Sequence, residues 1–133
     1  MVSSSGDTGA TSYAWSLHYV APSTTHTQND SSGDSAVRVA QTLVNGSEPA
    51  GALTTADVFV PHYAKDDARY QRVTATAESD NLDGSGNDLP EMNQTVGAWK
   101  SGAPVTAVRL WAFTGTTNFA AGTHVQLYGL RAG

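Results

Sequence analysis

The chain has 133 residues, seven Lys and Arg against twelve Asp and Glu, a net charge of −5 and no cysteine. That length suits one domain with a core of its own. The missing cysteine excludes disulfides and thiolate metal sites, and the few scattered cations give no basic stripe to neutralise nucleic-acid phosphates.

No run of about 18 consecutive apolar residues marks a membrane helix. Charged residues make up 14% of the chain, against roughly a quarter in ordinary soluble domains. Thr, Ser, Ala and Gly stand in their place. Small residues with few charges suit a β-sandwich, and they suit a surface that rests on another protein, because interface cores are poor in charge.

Residues 1–12 are rich in Ser, Gly and Thr, with no apolar core of a secretory signal, and read as a flexible arm. Residues 13–133 read as a single domain. No window of a dozen residues places apolar side chains at helical spacing; alternation of period two recurs instead. Tyr13 to Val20 is the first expected strand, with Tyr13, Trp15, Leu17 and Tyr19 on one face as core. Pro22 closes it, and Thr24 to Gly33 reads as a polar loop. Ser35 to Val44 is the second strand, with Val37, Val39 and Leu43 in phase, and Asn45-Gly46 is a turn that tolerates positive φ. Thr55 to Val60 is the third. Ala68 to Glu78 is the fourth, with Val73, Ala75 and Ala77 inward and Arg72, Thr74 and Thr76 outward.

Glu78 to Glu91 holds Asp80, Asp83-Gly84, Gly86, Asn87-Asp88 and Pro90 and reads as a long loop. Gln94 to Trp99 is a short fifth strand and Ser101 to Pro104 a turn. Val105 to Thr114 is the sixth and best defined strand, and His124 to Leu130 is the last. About seven strands without helices point to an all-β, antiparallel β-sandwich.

No motif carries chemistry. His18, His26, His62 and His124 fall in no metal-binding frame, and no Gly-x-Ser-x-Gly elbow exists. Ser79, Asn81, Asp83 and Gly84 match the opening of a calcium loop, but Pro90 stands where its bidentate Glu belongs. Three Asn-x-Ser/Thr triplets, at Asn29, Asn45 and Asn93, fit chance in a chain this rich in Asn, Ser and Thr. No catalytic residue, metal or cofactor is expected, and the chain reads as no enzyme.

The C-terminal part carries a more specific pattern. Val105-Thr106-Ala107-Val108-Arg109-Leu110, Asn118-Phe119-Ala120-Ala121-Gly122-Thr123 and Val125-Gln126-Leu127-Tyr128-Gly129-Leu130 resemble the closing segment of a jelly-roll family of tailed-bacteriophage virion proteins. That family includes capsid decoration proteins, head fibres and tail-associated proteins. Asp34 to Val39 and Val58 to Tyr63 look like two of its upstream strands. The resemblance implies a jelly roll, a place on the outer surface of the virion, the major capsid protein as partner, and a homotrimer. It also puts Val108 and Leu110 in the core, with Val125, Leu127 and a plug at Phe119.

In that phase Arg109, Trp111 and Phe113 point away from the core. An Arg-Trp-Phe row on an outer face has the composition of a protein interface. Trp99, at a strand end beside Lys100, reads as a rim contact. Three functions remain open at this point: a capsid decoration (cement) protein, a head-fibre or tail module that binds a host glycan, and a cellular carbohydrate-binding jelly roll. Trp111→Ala is expected to weaken assembly or capsid attachment and leave the monomer folded. Normal attachment with normal folding would remove the interface assignment.

Overall fold

The computed structural model describes residues 2–3, 12–21, 24–40, 54–64, 70–81, 89–110, 119 and 121–129. Among them there is no helix, and seven strands: β1 (Val2–Ser3), β2 (Tyr13–Ala21), β3 (Thr24–Asp34), β4 (Thr54–Phe59), β5 (Gln71–Asn81), β6 (Leu89–Trp99) and β7 (Ala107–Val108). Five of them form one antiparallel sheet in the order β3-β2-β6-β5-β4; β1 and β7 pair as a separate antiparallel ribbon.

The sheet owes its two faces to the period of the strand. Along β5, Gln71, Val73, Ala75, Ala77 and Ser79 are buried, and Arg72, Thr74, Thr76 and Glu78 are exposed. β6 repeats this, with Glu91, Asn93, Thr95, Gly97 and Trp99 inward. Register carries the pattern across the sheet: Tyr13, Trp99 and Gln71 form one inner row, Trp15, Gly97 and Val73 the next, then Leu17, Thr95 and Ala75.

Tyr13, Val37, Val73 and Trp99 make the apolar core, with Trp15, Val60, Ala103 and Val105 packed against it. The cover over this face is irregular chain from residues 35–40 and 101–105. Its polar backbone still finds partners, as buried backbone must. Thr95 Oγ1 donates to the Val39 carbonyl at 3.2 Å, and Gln71 Nε2 to the Ala103 carbonyl at 3.3 Å. Val105 N donates to the Tyr63 carbonyl at 2.7 Å, which ties the cover to the turn after β4. That turn holds His62 at φ 56°, a left-handed conformation beside Pro61.

Several expectations are corrected. Thr24 to Gly33 is strand β3, not a loop: β-branched threonines favour extended chain, and pairing with β2 gives an edge strand its ladder without an apolar stripe. A register shift between Tyr13 and Trp15 absorbs the extra residue opposite, near Gly33, as a bulge. Ser35 to Ala40 carries no strand, and the rest of that expected run, with Asn45-Gly46, lies outside the described residues. β6 starts five residues before Gln94, and β5 runs on to Asn81, so the ladder enters the expected Glu78 to Glu91 loop from both sides. Asp83 and Gly84 of the calcium-like pattern lie outside the described residues. Of the expected sixth strand, the described residues 105–110 carry only Ala107–Val108, residues 111–114 lie outside the described residues, and Val108 and Leu110, expected in the core, are both 42% exposed. Residues 123–129 form no strand; Val125, Leu127 and Phe119, expected inside, are exposed. Val2–Ser3, placed by sequence in a flexible arm, pairs with Val108 and Ala107.

The tightest fit in the core is at Gly97. A Cβ there would lie 2.6 and 2.8 Å from the two Val37 methyls. Gly97→Ala is expected to destabilise the fold by about 1–3 kcal/mol, measured by urea unfolding. Val37→Ala in the same chain should recover part of that loss, a coupling that contact implies. Strictly additive effects would contradict the contact.

Candidate interaction surfaces

The expected interface residues fall in three different situations. Trp99 is 2% exposed, between Tyr13 and Gln71 in the inner row, and its indole belongs to the core. The rim reading of Trp99 is therefore corrected: odd-numbered positions of β6 face inward, and the strand end does not break that parity. Arg109 is exposed, one residue past β7. Trp111 and Phe113 lie outside the described residues, so the structure does not bring the three together as a row.

Sequence reasoning missed the outer face of the five-stranded sheet. Its rows cross the whole sheet by register: Phe59, Thr74, Val96, Ser16 and Asp30 in one, Asp57, Thr76, Gln94, His18 and Gln28 in the next. Phe59, Val96, Met92 and Val20 are large apolar side chains left exposed on it. A shallow groove runs between Phe59, Thr74 and Val96. A signal was present in the outward Thr74 and Thr76 of β5: uncharged hydroxyls at successive outward positions make a face of low charge.

Ser16, His18 and Asp30 meet at one end of this face. The Ser16 hydroxyl and His18 Nε2 are 3.4 Å apart, and Gln28 Nε2 donates to Asp30 Oδ2 at 2.7 Å. Hydrogen bonds from Ser16 and Gln28, and then the nearby His18, hold the Asp30 carboxyl below its ordinary value of 3.8. These residue types are those of a nucleophilic triad, but the wiring differs. A triad carboxylate orients the imidazole; here it accepts from the serine, which keeps the serine proton in place. The surrounding backbone N–H groups of β2 belong to the strand ladders on both sides, so β2 itself offers no free backbone donor for an oxyanion. The cluster is a polar knot on a sheet surface.

A second knot fixes the bend after β3. Trp15 Nε1 donates to Asp34 Oδ2 at 3.1 Å, Ser35 N to Asp34 Oδ1 at 2.6 Å, and the Arg38 guanidinium lies 5.4 Å from the Trp15 ring centroid. Lys100 Nζ donates to the Ser32 carbonyl nearby. Both knots tie polar groups to one another, and among the described residues no set of three His, Cys, Asp or Glu side chains stands ready for a metal ion.

The third surface is the C-terminal segment. Val125, Leu127 and Tyr128 are 65%, 85% and 77% exposed. Three apolar side chains in four residues, this open, exceed the scattered exposure of an ordinary surface.

No family model, no curated protein and no solved structure matches the chain.

The wiring of the polar knot is open to titration. Ser16→Ala removes the largest stabilisation of the ionised Asp30, so its NMR titration midpoint should move up toward the ordinary value. An unchanged midpoint would contradict the Ser16–Asp30 bond. The sign follows: the knot favours the folded state at pH above the ordinary Asp30 range and loses that effect as pH falls through the lowered midpoint.

Proposed function

We propose that the chain is a non-enzymatic structural protein of a tailed-bacteriophage virion, a capsid decoration protein that binds the outer shell and stabilises it. Its partners are the major capsid protein and further copies of itself, as a homotrimer. In this reading the five-stranded sheet is one layer of a jelly-roll sandwich.

One observation carries the reading. The segment that resembles the phage family also carries, among the described residues, the most exposed large apolar side chains, Leu127, Tyr128 and Val125. A chain that works alone gains nothing from leaving these in water, since each costs burial free energy of about 25 cal/mol per Å². A chain that works in an array covers them on assembly. The 14% charge content supports the same reading, because charge is the component that interface centres lack. The polar knots are wired internally, and neither is arranged to activate a nucleophile.

The mechanism is mass action. A protein that bridges neighbouring capsid subunits binds the closed shell and not its dispersed parts, so it raises the free energy needed to open the shell. The open outer face and the C-terminal segment are the surfaces available for that bridge.

Copy number per purified particle tests the reading, by quantitative mass spectrometry against the major capsid protein. Hundreds of copies are expected. A few dozen or fewer would replace decoration with a fibre or tail role, and absence from particles would remove the virion assignment.

A further inference from the structure

Residues 124–128 have the pattern of a strand and, among the described residues, pair with none. Val125 and Leu127 share one side; Gln126 and Tyr128 share the other, where the Tyr128 hydroxyl donates to Gln126 Oε1. At the far edge of the sheet, β4 has the complementary pattern. Ala56 and Val58 lie in register with Ala77 and Ala75 of the buried face, yet Ala56 is exposed and Val58 is 38% exposed. Among the described residues the inner face is thus open at β4, and β4 is an outer strand of the sheet.

We propose that residues 124–128 of one chain add as an antiparallel strand to the β4 edge of a second copy. Val125 opposes Val58 and Leu127 opposes Ala56, which extends the apolar inner face by one strand. Gln126 then opposes Asp57 on the outer face, an amide donor against a carboxylate acceptor. Tyr128 opposes Thr55, and His124 lies beside Phe59 and diagonal to Asp57. The segment brings no carboxylate to an edge that already carries one.

The other edge does not fit. On β3, Asn29 and Ser31 oppose Leu17 and Trp15 on the inner face, the bulge near Gly33 and Asp34 interrupt it, and Asp30 puts a charge on the outer face. Polar positions, a bulge and charges are the usual guards of an edge strand. β4 carries one charge, Asp57, and it points outward.

A second copy is the natural donor because each chain supplies one tail and one edge. Such a contact is heterologous, and a ring closes when every tail meets an edge. Main-chain hydrogen bonds give the addition its strength, and the alternate side chains set its register. The proposal specifies the self-association named above and does not depend on a capsid.

Sedimentation velocity of the full chain over a concentration series tests it, without particles. The wild type is expected to form a closed oligomer. Leu127→Asp spoils the tail and Val58→Asp spoils the edge; each variant alone is expected to sediment as a monomer with an unchanged circular dichroism spectrum. An equimolar mixture of the two retains one intact tail and one intact edge, and is expected to give a 1:1 heterodimer. A wild type that stays monomeric, variants that associate as the wild type does, or a mixture that stays monomeric would each overturn the proposal. Trapping gives a readout that does not rest on the charged variants folding. The chain has no cysteine, so Val125→Cys mixed with Val58→Cys should give a heterodimeric disulfide under mild oxidation. Its absence would overturn the register. A monomer that still binds particles would end this proposal and leave the decoration reading standing.

Discussion

Val37 sits on Gly97, and the rest of the inner face follows from that contact. Gly97 is the one position on the centre of β6 where the sheet has no side chain. The valine methyls fill the space its Cβ would occupy. Seated there, residues 35–40 lie flat on the sheet. The Val39 carbonyl reaches Thr95, and Arg38 comes over Trp15. Tyr13, Val73 and Trp99 close around the same point. A single sheet normally needs a second layer to bury one face. Here irregular chain does that over the Tyr13–Trp99 end, held by side-chain hydrogen bonds to its backbone instead of by a ladder.

The inner face turns polar toward its other end. Leu17 and Ala75 give way to Asn93, Glu91 and Ser79, all buried. Asn93 Nδ2 donates to Glu91 Oε1 at 3.1 Å, and Ser79 Oγ is buried without a hydrogen-bond partner among the described residues. Buried polar groups cost free energy unless paired, so this end adds less to stability than the apolar end. The inner face therefore has one apolar pole and one polar pole. The exposed Ala56 and Val58 lie at the second.

The sequence showed some of this and hid the rest for identifiable reasons. β2 and β5 were legible because Tyr13, Leu17, Val73, Ala75 and Ala77 alternate cleanly with polar residues. β6 was read short because its inward positions are Glu91, Asn93, Thr95 and Gly97; a central strand can be held by ladders on both sides without an apolar stripe of its own. β3 was read as a loop because an edge strand of Thr, Asn, Asp and Ser looks like one. Trp99 was read as a rim contact from its neighbour Lys100, although its parity with Thr95 put it inward. At Val125 and Leu127 alternation signalled a strand facing the core, but both side chains are exposed and, among the described residues, no strand pairs with them. Period two reports which side chains share a face; it carries no information about what covers them. Of the interface row, Arg109 is an exposed residue past β7, while the outer sheet face needed the register of four strand pairs to become visible.

The central claim is that the C-terminal segment is an assembly surface, uncovered until another protein meets it. Hydrogen–deuterium exchange of the dilute full chain, and of the same chain associated or attached to particles, tests it most directly. Exchange reports local opening segment by segment. The account predicts slow exchange along β2, β5 and β6 in both states, fast exchange at residues 124–128 in the dilute chain, and protection of those residues on association. Slow exchange at residues 124–128 in the dilute monomer would contradict it, because the segment would then be satisfied within its own chain.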